Sequence, residues 1–293
     1  MNKILLIGKN GQLGWELQST LSFFGEVVSV DFPEIDLTKP NSFIHLIHTL
    51  CPKVIINAAA YTDVDKAESE KVKARLINSV SPGVLAEEAR KINSIIIHFS
   101  TDYIFDGLKG SSYIENDLPN PLNVYGETKL DGEINMRQVG GNFIIIRTAW
   151  LYSLRNGGFV NKVMHWAQTQ PILRVVDDQI SNPTWARILA NAIALVLNKI
   201  RENNYKNVER YTGIYHMAGE GYTSRFEWAR KIIEYDPNFR NHLIKNLEAA
   251  SSSDFNSEAK RPSLSALCSN KFQSTFNLQP IAWEDSLKLC LRS

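Results

Sequence analysis

The sequence predicts an α/β fold in which a parallel sheet is doubly wound, with helices on both faces. Three observations carry that reading. Short apolar runs alternate with helix-length stretches through the first half of the chain, a glycine turn follows the first run, and hydroxyl residues close the fourth. Alternation of this kind joins parallel strands through right-handed helical crossovers.

The first strand is expected at 4–7, Ile4-Leu5-Leu6-Ile7, and is followed by Gly8-x-x-Gly11-x-x-Gly14, which opens a helix at 12–24. Lacking a Cβ, Gly8 suits a tight turn, Gly11 lets the backbone approach a pyrophosphate, and Gly14 lets helix pack closely on strand. The unpaired N–H groups and positive dipole end of the helix beginning near Gln12 and Leu13 suit phosphates. A Rossmann-type unit for NADH or NADPH is therefore expected, with these five residues at the cofactor. The second run, 27–30, ends at Asp31, near where a carboxylate meets the adenosine ribose, which favours NAD. Lys9, inside the glycine turn, is a cation within reach of a 2′-phosphate and leaves the choice of cofactor open.

A helix is expected at 40–50, with Pro40 at its start after the cap Thr38 and Pro52 past its end. Strands at 54–57, 95–100 and 143–147 then alternate with helices at 71–92 and 125–138. Beyond Trp150 the pattern loosens. Strands at 173–176 and 213–217, with a helix at 184–197 between them, are expected to extend the first sheet. At 293 residues the chain exceeds the size at which one core usually stops growing. Residues 1–150 are read as the cofactor domain, its sheet extended by parts of 173–219, and 151–172 with 220–293 as a smaller substrate-binding lobe.

Tyr125 and Lys129 are four apart and share a helix face, although Gly126 and Gly132 weaken that helix. A phenol beside an ammonium is expected to titrate below its usual ~10 and to serve as a general acid for a carbonyl oxygen. Ser100-Thr101 closes the run at 95–99, and a hydroxyl at the carboxyl end of a parallel strand points into the ligand crevice. Thr101 is expected to share the substrate oxygen with Tyr125. The long loop from Thr101 to Leu122 is expected to overhang the site, with Tyr103 and Phe105 packing it.

Net charge is +1 and the basic residues are scattered, so no polyanion-binding stripe exists and nucleic acid is not an expected partner. No apolar stretch reaches the roughly 18 residues that span a membrane, and Met1-Asn2-Lys3 leads straight into a strand. A cytoplasmic protein is expected. Cys51, Cys268 and Cys290 are widely spaced and read as reduced thiols, and His45 with His48 lacks companions for a metal site. The run Ser251-Ser252-Ser253-Asp254 looks the most flexible, and Arg261 after it has the guanidinium fork that suits a diphosphate.

Ordered segments run nearly end to end: Gly8-Lys9-Asn10-Gly11-Gln12-Leu13-Gly14, Asp36-Leu37-Thr38, Asn57 to Glu68, Ser100-Thr101-Asp102-Tyr103, Tyr125-Gly126-Glu127-Thr128-Lys129, Arg147 to Tyr152, Asp178-Gln179 with Pro183-Thr184, Gly213 to Gly219, and Arg261-Pro262. On these segments the chain resembles the extended short-chain dehydrogenase/reductase family, and within it the reductases of keto-sugar nucleotides. The resemblance implies hydride delivery from NADH or NADPH to C4 of dTDP-4-dehydro-6-deoxy-L-mannose, for cell-surface polysaccharide synthesis. It implies Tyr125 as proton donor, Lys129 on the nicotinamide ribose, and Thr101 adjusting the acidity of Tyr125. It also implies Asp36 and Leu37 at the adenine, Ala60, Tyr61 and Thr62 beside the nicotinamide half, and Asp102, Tyr103, Trp150 and Arg261 on the sugar nucleotide.

Two features depart from the family pattern. Ser181 stands where the family usually has glycine, and strain is expected if that position needs a positive φ. Glu16 matches one ligand of a magnesium ion that bridges some family dimers, but 184–197 has no acidic residue to complete the set, so monomer and homodimer both stay open. Two other classes share this fold. A dehydratase or epimerase of the same fold usually follows the threonine with Asp-Glu, whereas here Asp102-Tyr103 follows Thr101. A non-catalytic regulatory subunit is opposed by the presence of Thr101, Tyr125 and Lys129 together.

Overall fold

The structure is a computed structural model describing residues 2–155 and 157–292. The first half runs β1 (Lys3–Ile7), α1 (Gln12–Leu21), β2 (Glu26–Val30), α2 (Asn41–Leu50), β3 (Val54–Asn57), α3 (Val64–Ser69), α4 (Lys71–Arg75), α5 (Ser81–Lys91), β4 (Ile95–Thr101), α6 (Val124–Val139) and β5 (Phe143–Thr148). The second half runs β6 (Leu151–Tyr152), α7 (Phe159–Thr169), β7 (Ile172–Val176), β8 (Ile180–Ser181), β9 (Thr184–Trp185), α8 (Ala186–Arg201), β10 (Gly213–His216), β11 (Thr223–Ser224), α9 (Arg225–Tyr235), β12 (Asn246–Ala250), α10 (Asn270–Phe276) and α11 (Trp283–Leu291).

Six strands form one sheet in the order β10-β5-β4-β3-β1-β2, every pair parallel. The inner strands are continuous apolar runs because both of their faces are covered. Along β1, Ile4 and Leu6 join the core under α1 and α8, while Leu5 and Ile7 join the core under α2, α5 and α6. Chain order reverses between β1 and β3, which opens a crevice at the carboxyl ends of these strands.

Three expectations about the elements are corrected. The strand at 172–176 does not extend this sheet but pairs in parallel with β12, whereas β10 does join it beside β5. The helix expected at 71–92 is interrupted by a π turn at Leu76–Val80. Pro82 follows at once, and in an unbroken α-helix its ring would collide with the carbonyl of Asn78. Of the loop after Thr101, only its ends at Asp102 and Leu122 reach the crevice walls. It packs on the chain near residue 266, where Tyr113 N–H donates to the Ala266 carbonyl at 2.7 Å and Phe105 stacks on Tyr113 with centroids 4.1 Å apart.

The weak glycines of α6 have a packing reason. A Cβ on Gly126 would lie 2.2 Å from the Tyr103 carbonyl oxygen, and one on Gly132 would lie 2.2 Å from that of Asn78. The segment 251–254 forms a capped turn in which the Asp178 carboxylate accepts from Ser251 Oγ, Ser252 N and Ser252 Oγ. Among the described residues no helix is long and apolar enough to cross a membrane.

Candidate active site

A cleft of about 420 Å³ opens where β1, β3, β4 and β5 end. Gly8, Gly11, Gln12, Leu13 and Asp31 line one end, Ala60 and Thr62 the flank, and Thr101, Asp102, Tyr125, Lys129 and Trp150 the other end. The glycine turn is shaped as its spacing demands. Gly8 has φ +93°, and a Cβ on Gly14 would sit 1.8 Å from the Gly8 carbonyl oxygen. No side chain caps the N-terminus of α1, so its leading N–H groups are available to an anion. Ser100 Oγ and Thr148 Oγ1, both buried at the cleft, have no hydrogen-bond partner among the described residues. Buried hydroxyls are rarely left unpaired, and a bound dinucleotide would satisfy them. The residues present therefore fit NADH or NADPH.

Around that cradle, Asp31 accepts from the N–H groups of Asn10 (2.9 Å) and Phe32 (2.8 Å) while facing the cleft. Lys9, the cation considered for a 2′-phosphate, is instead paired with Glu34 at 2.7 Å. Several expected cofactor residues lie behind the wall rather than in it. Gly14 serves packing. Asp36 accepts from Thr38 N and Oγ1, and Leu37 packs into the α2–α5 core. Tyr61 is held through its backbone, its N–H donating to Asn78 Oδ1 at 2.8 Å and its carbonyl accepting from Asn78 Nδ2 at 3.0 Å. Asn78, in the π turn, was not singled out from sequence. Its signal was the Pro82 that breaks the helix.

At the catalytic end, Thr101 Oγ1 donates to Asp102 Oδ1 at 3.2 Å and accepts from Tyr103 N at 3.2 Å. Burial, with the neighbouring Asp102 and Tyr103, raises the Tyr125 phenol above its ordinary pKa, against a smaller downward pull from the Thr101 hydroxyl beside it. This corrects the expectation of a phenol lowered by Lys129. The Lys129 side chain is buried, its Nζ donating to the Phe99 carbonyl at 2.6 Å with His98 Nε2 at 3.2 Å. Burial brings Lys129 down to about 8, against an opposing pull from Glu133. Tyr125 is thus protonated at neutral pH, the state a general acid needs.

Asp102 is buried and its carboxyl is raised to about 6 by desolvation, opposed by hydrogen bonds from Ser265, Ser181 and Thr101. Ser181 Oγ donates to Asp102 Oδ2 at 3.0 Å. Ser181 is absent from the residues with positive φ, so serine in place of glycine brings no backbone strain and adds a hydroxyl to the site.

The remaining expected substrate residues are divided between this cleft and a second one of about 790 Å³, lined by Lys162, Trp166, Arg225, Phe255, Lys260 and Arg261 among others. Arg261 pairs with Asp65 at 2.7 Å. Tyr103 lines neither cleft, and its buried phenol lies beside the Arg225 and Arg261 guanidinium groups. Trp150 has φ +38°, uncommon for a bulky residue, and stacks under the Arg225 guanidinium at 4.0 Å. Arg225 thereby joins the two clefts. Nothing in the local sequence distinguished it or Lys162 from surface cations. Glu16, the candidate metal ligand, is paired with Arg187 at 3.0 Å. Among the described residues no group of three or more His, Cys, Asp or Glu is placed to hold an ion.

The chain matches the family described as RmlD substrate binding domain over residues 1–293. It is 35% identical to a dTDP-4-dehydrorhamnose reductase of Burkholderia thailandensis, across 99% of this chain and 98% of that one. It is 38% identical to a dTDP-4-dehydrorhamnose reductase of Aggregatibacter actinomycetemcomitans, across 98% of each. The crystal structure of a dTDP-4-dehydrorhamnose reductase from Bacillus anthracis in complex with NADP superposes with a TM-score of 0.90 at 29% identity, covering 100% of this chain and 99% of that one.

Proposed function

The chain belongs to the RmlD substrate binding domain family, and from that premise we propose that it reduces the C4 ketone of dTDP-4-dehydro-6-deoxy-L-mannose, giving dTDP-L-rhamnose. The observation that carries this reading is the meeting of Tyr125, Thr101 and Lys129 with the Gly8–Gly14 turn in one cleft. NADH or NADPH supplies the hydride when bound. The turn and the N-terminus of α1 hold its pyrophosphate, Asp31 its adenosine ribose, and Lys129 its nicotinamide ribose. Ser100 and Thr148 offer hydroxyls to its other polar groups.

Tyr125 gives its proton to the oxygen that becomes the C4 hydroxyl. The Thr101 proton, directed at Asp102 in the resting state, turns to the phenolate that is left. Asp102 accepts from Ser181 and Ser265 and offers its free acceptor capacity to the sugar. Residues 1–150 carry the cofactor, and 151–172 with 220–293 supply most of the second cleft, where Lys162, Arg225 and Arg261 take the diphosphate. Such a water-soluble substrate suits a cytoplasmic enzyme.

The test is to incubate purified protein with dTDP-4-dehydro-6-deoxy-L-mannose and NADH or NADPH and to identify the sugar by NMR. Stoichiometric cofactor oxidation with the L-rhamno product is expected. Tightly held NAD and redox-neutral turnover would indicate an epimerase or dehydratase instead, and failure to oxidise cofactor with any keto-sugar nucleotide would indicate a binding subunit.

A further inference from the structure

Behind Lys129 lies a line of buried polar groups whose proton count closes in only one way. Asn57 on β3 and His98 on β4 are direct partners in the parallel register, so their side chains project to the same face, the one α6 covers. Both are essentially inaccessible to solvent, as is Lys129. Asn57 Oδ1 accepts from Ala59 N–H at 3.2 Å. That fixes its amide, leaving Nδ2 to face His98 Nδ1 at 3.1 Å.

Burial, the larger cause, pushes His98 well below its ordinary pKa, so the ring is neutral, with one donor nitrogen and one acceptor. With Nδ1 accepting from Asn57, the ring proton sits on Nε2 and points at Lys129 Nζ, 3.2 Å away. An ammonium has no lone pair to receive it, whereas an amine does. The amine still has two hydrogens, one for the Phe99 carbonyl at 2.6 Å and one toward the cleft.

We propose that His98 is a positioning residue that favours the free amine of Lys129 over its ammonium in the cofactor-free protein, by donating from Nε2 to its lone pair. Charging Lys129 requires the reverse line, with the imidazole proton moved to Nδ1 and the Asn57 amide turned over against Ala59 N–H. The charged groups around the pair are few. Glu133, one turn along α6, favours the ammonium but is neutralised by Arg147 of β5 at 2.7 Å, and the Tyr125 phenol lies beside the Thr101 hydroxyl. A hydrogen bond to the neutral form of a base disfavours its charged form, so His98 adds to the effect of burial.

For its catalytic meaning the proposal rests on the reductase reading, in which Lys129 holds the nicotinamide ribose. Its test needs no turnover. In full-length protein labelled with ¹⁵N-histidine and ¹⁵N-lysine, with no cofactor added, His98 at pH 8.5 should show a protonated Nε2 and a bare Nδ1. Lys129 Nζ should show an amine shift, turning to ammonium only at lower pH, with the His98 tautomer reversing over the same range. In His98→Gln, whose carbonyl can face an ammonium, the Lys129 midpoint should rise by at least one pH unit, a tenfold change in proton affinity. Nδ1-protonated His98 at pH 8.5, or a Lys129 ammonium persisting to pH 10 in the wild type, would overturn the proposal. If the NMR result holds but no keto-sugar nucleotide is reduced, the reductase reading fails and the assignment at His98 stands.

Discussion

Replacing Gly11 by alanine separates cofactor binding from folding. Gly11 caps α1 at φ −69° and ψ 166°, a conformation alanine adopts without strain. The nearest heavy atom to an added Cβ is the Gly8 carbonyl oxygen at 3.5 Å, an ordinary contact. The fold should therefore keep its stability or gain about 0.4–1 kcal/mol through a less flexible unfolded chain. The same methyl enters the cleft where a pyrophosphate must approach bare backbone. Affinity for NADH and for NADPH should each fall about 10–100-fold, or about 1.4–2.8 kcal/mol. Tryptophan fluorescence titration reads the affinity and thermal unfolding reads the fold. Gly14→Ala is the contrasting control, because its Cβ would lie 1.8 Å from the Gly8 carbonyl oxygen and must destabilise the fold itself. An unchanged cofactor affinity in Gly11→Ala would refute the assignment of this turn to the pyrophosphate.

Asp31→Ala should weaken NADH more than NADPH, since it removes a carboxylate placed for a ribose hydroxyl; equal losses in the two titrations would remove Asp31 from the ribose. Asp102 makes a pH-dependent contribution to stability. Its carboxyl is raised in the fold from 3.8 to about 6, so its stabilising protonated form is complete below pH 4 and is lost as pH rises through 6. Relative to Asp102→Asn, the wild type should lose on the order of 3 kcal/mol between pH 3.5 and pH 7, and a difference in denaturant unfolding that stays flat with pH would contradict this. Arg225→Lys keeps the charge but loses the planar stack on Trp150; steady-state kinetics should show KM for the sugar nucleotide up about tenfold with cofactor KM unchanged, and the opposite pattern would detach Arg225 from the substrate.

What the sequence made legible followed from local chemistry. The runs at 4–7, 54–57 and 95–100 were readable as strands of a parallel sheet because a strand covered on both faces is largely apolar. The strand at 172–176 was readable as a strand but not as a partner of β12, since pairing with residues 246–250 depends on chain that arrives much later. Tyr125 and Lys129 were placed by helical spacing, yet their protonation was not, because it depends on burial and on the Phe99 carbonyl and His98 that β4 sets against α6. Asp36 was placed at the adenine by the resemblance, but its Oδ1 accepts from Thr38 and its Oδ2 faces Lys39 at 3.5 Å. Arg225 and Lys162 carried no signal at all, since a cation bordering a cleft reads like one on an open helix.

The central claim is that the phenol of Tyr125 supplies the proton in a cleft built to hold a nicotinamide cofactor. Tyr125→Phe keeps the ring against Tyr103, an edge contact at 5.9 Å, and deletes only the hydroxyl. With saturating dTDP-4-dehydro-6-deoxy-L-mannose, single-turnover oxidation of NADPH by this variant should slow by about two to four orders of magnitude, while NADPH affinity stays within about twofold of wild type. A rate close to that of the wild type would contradict the account.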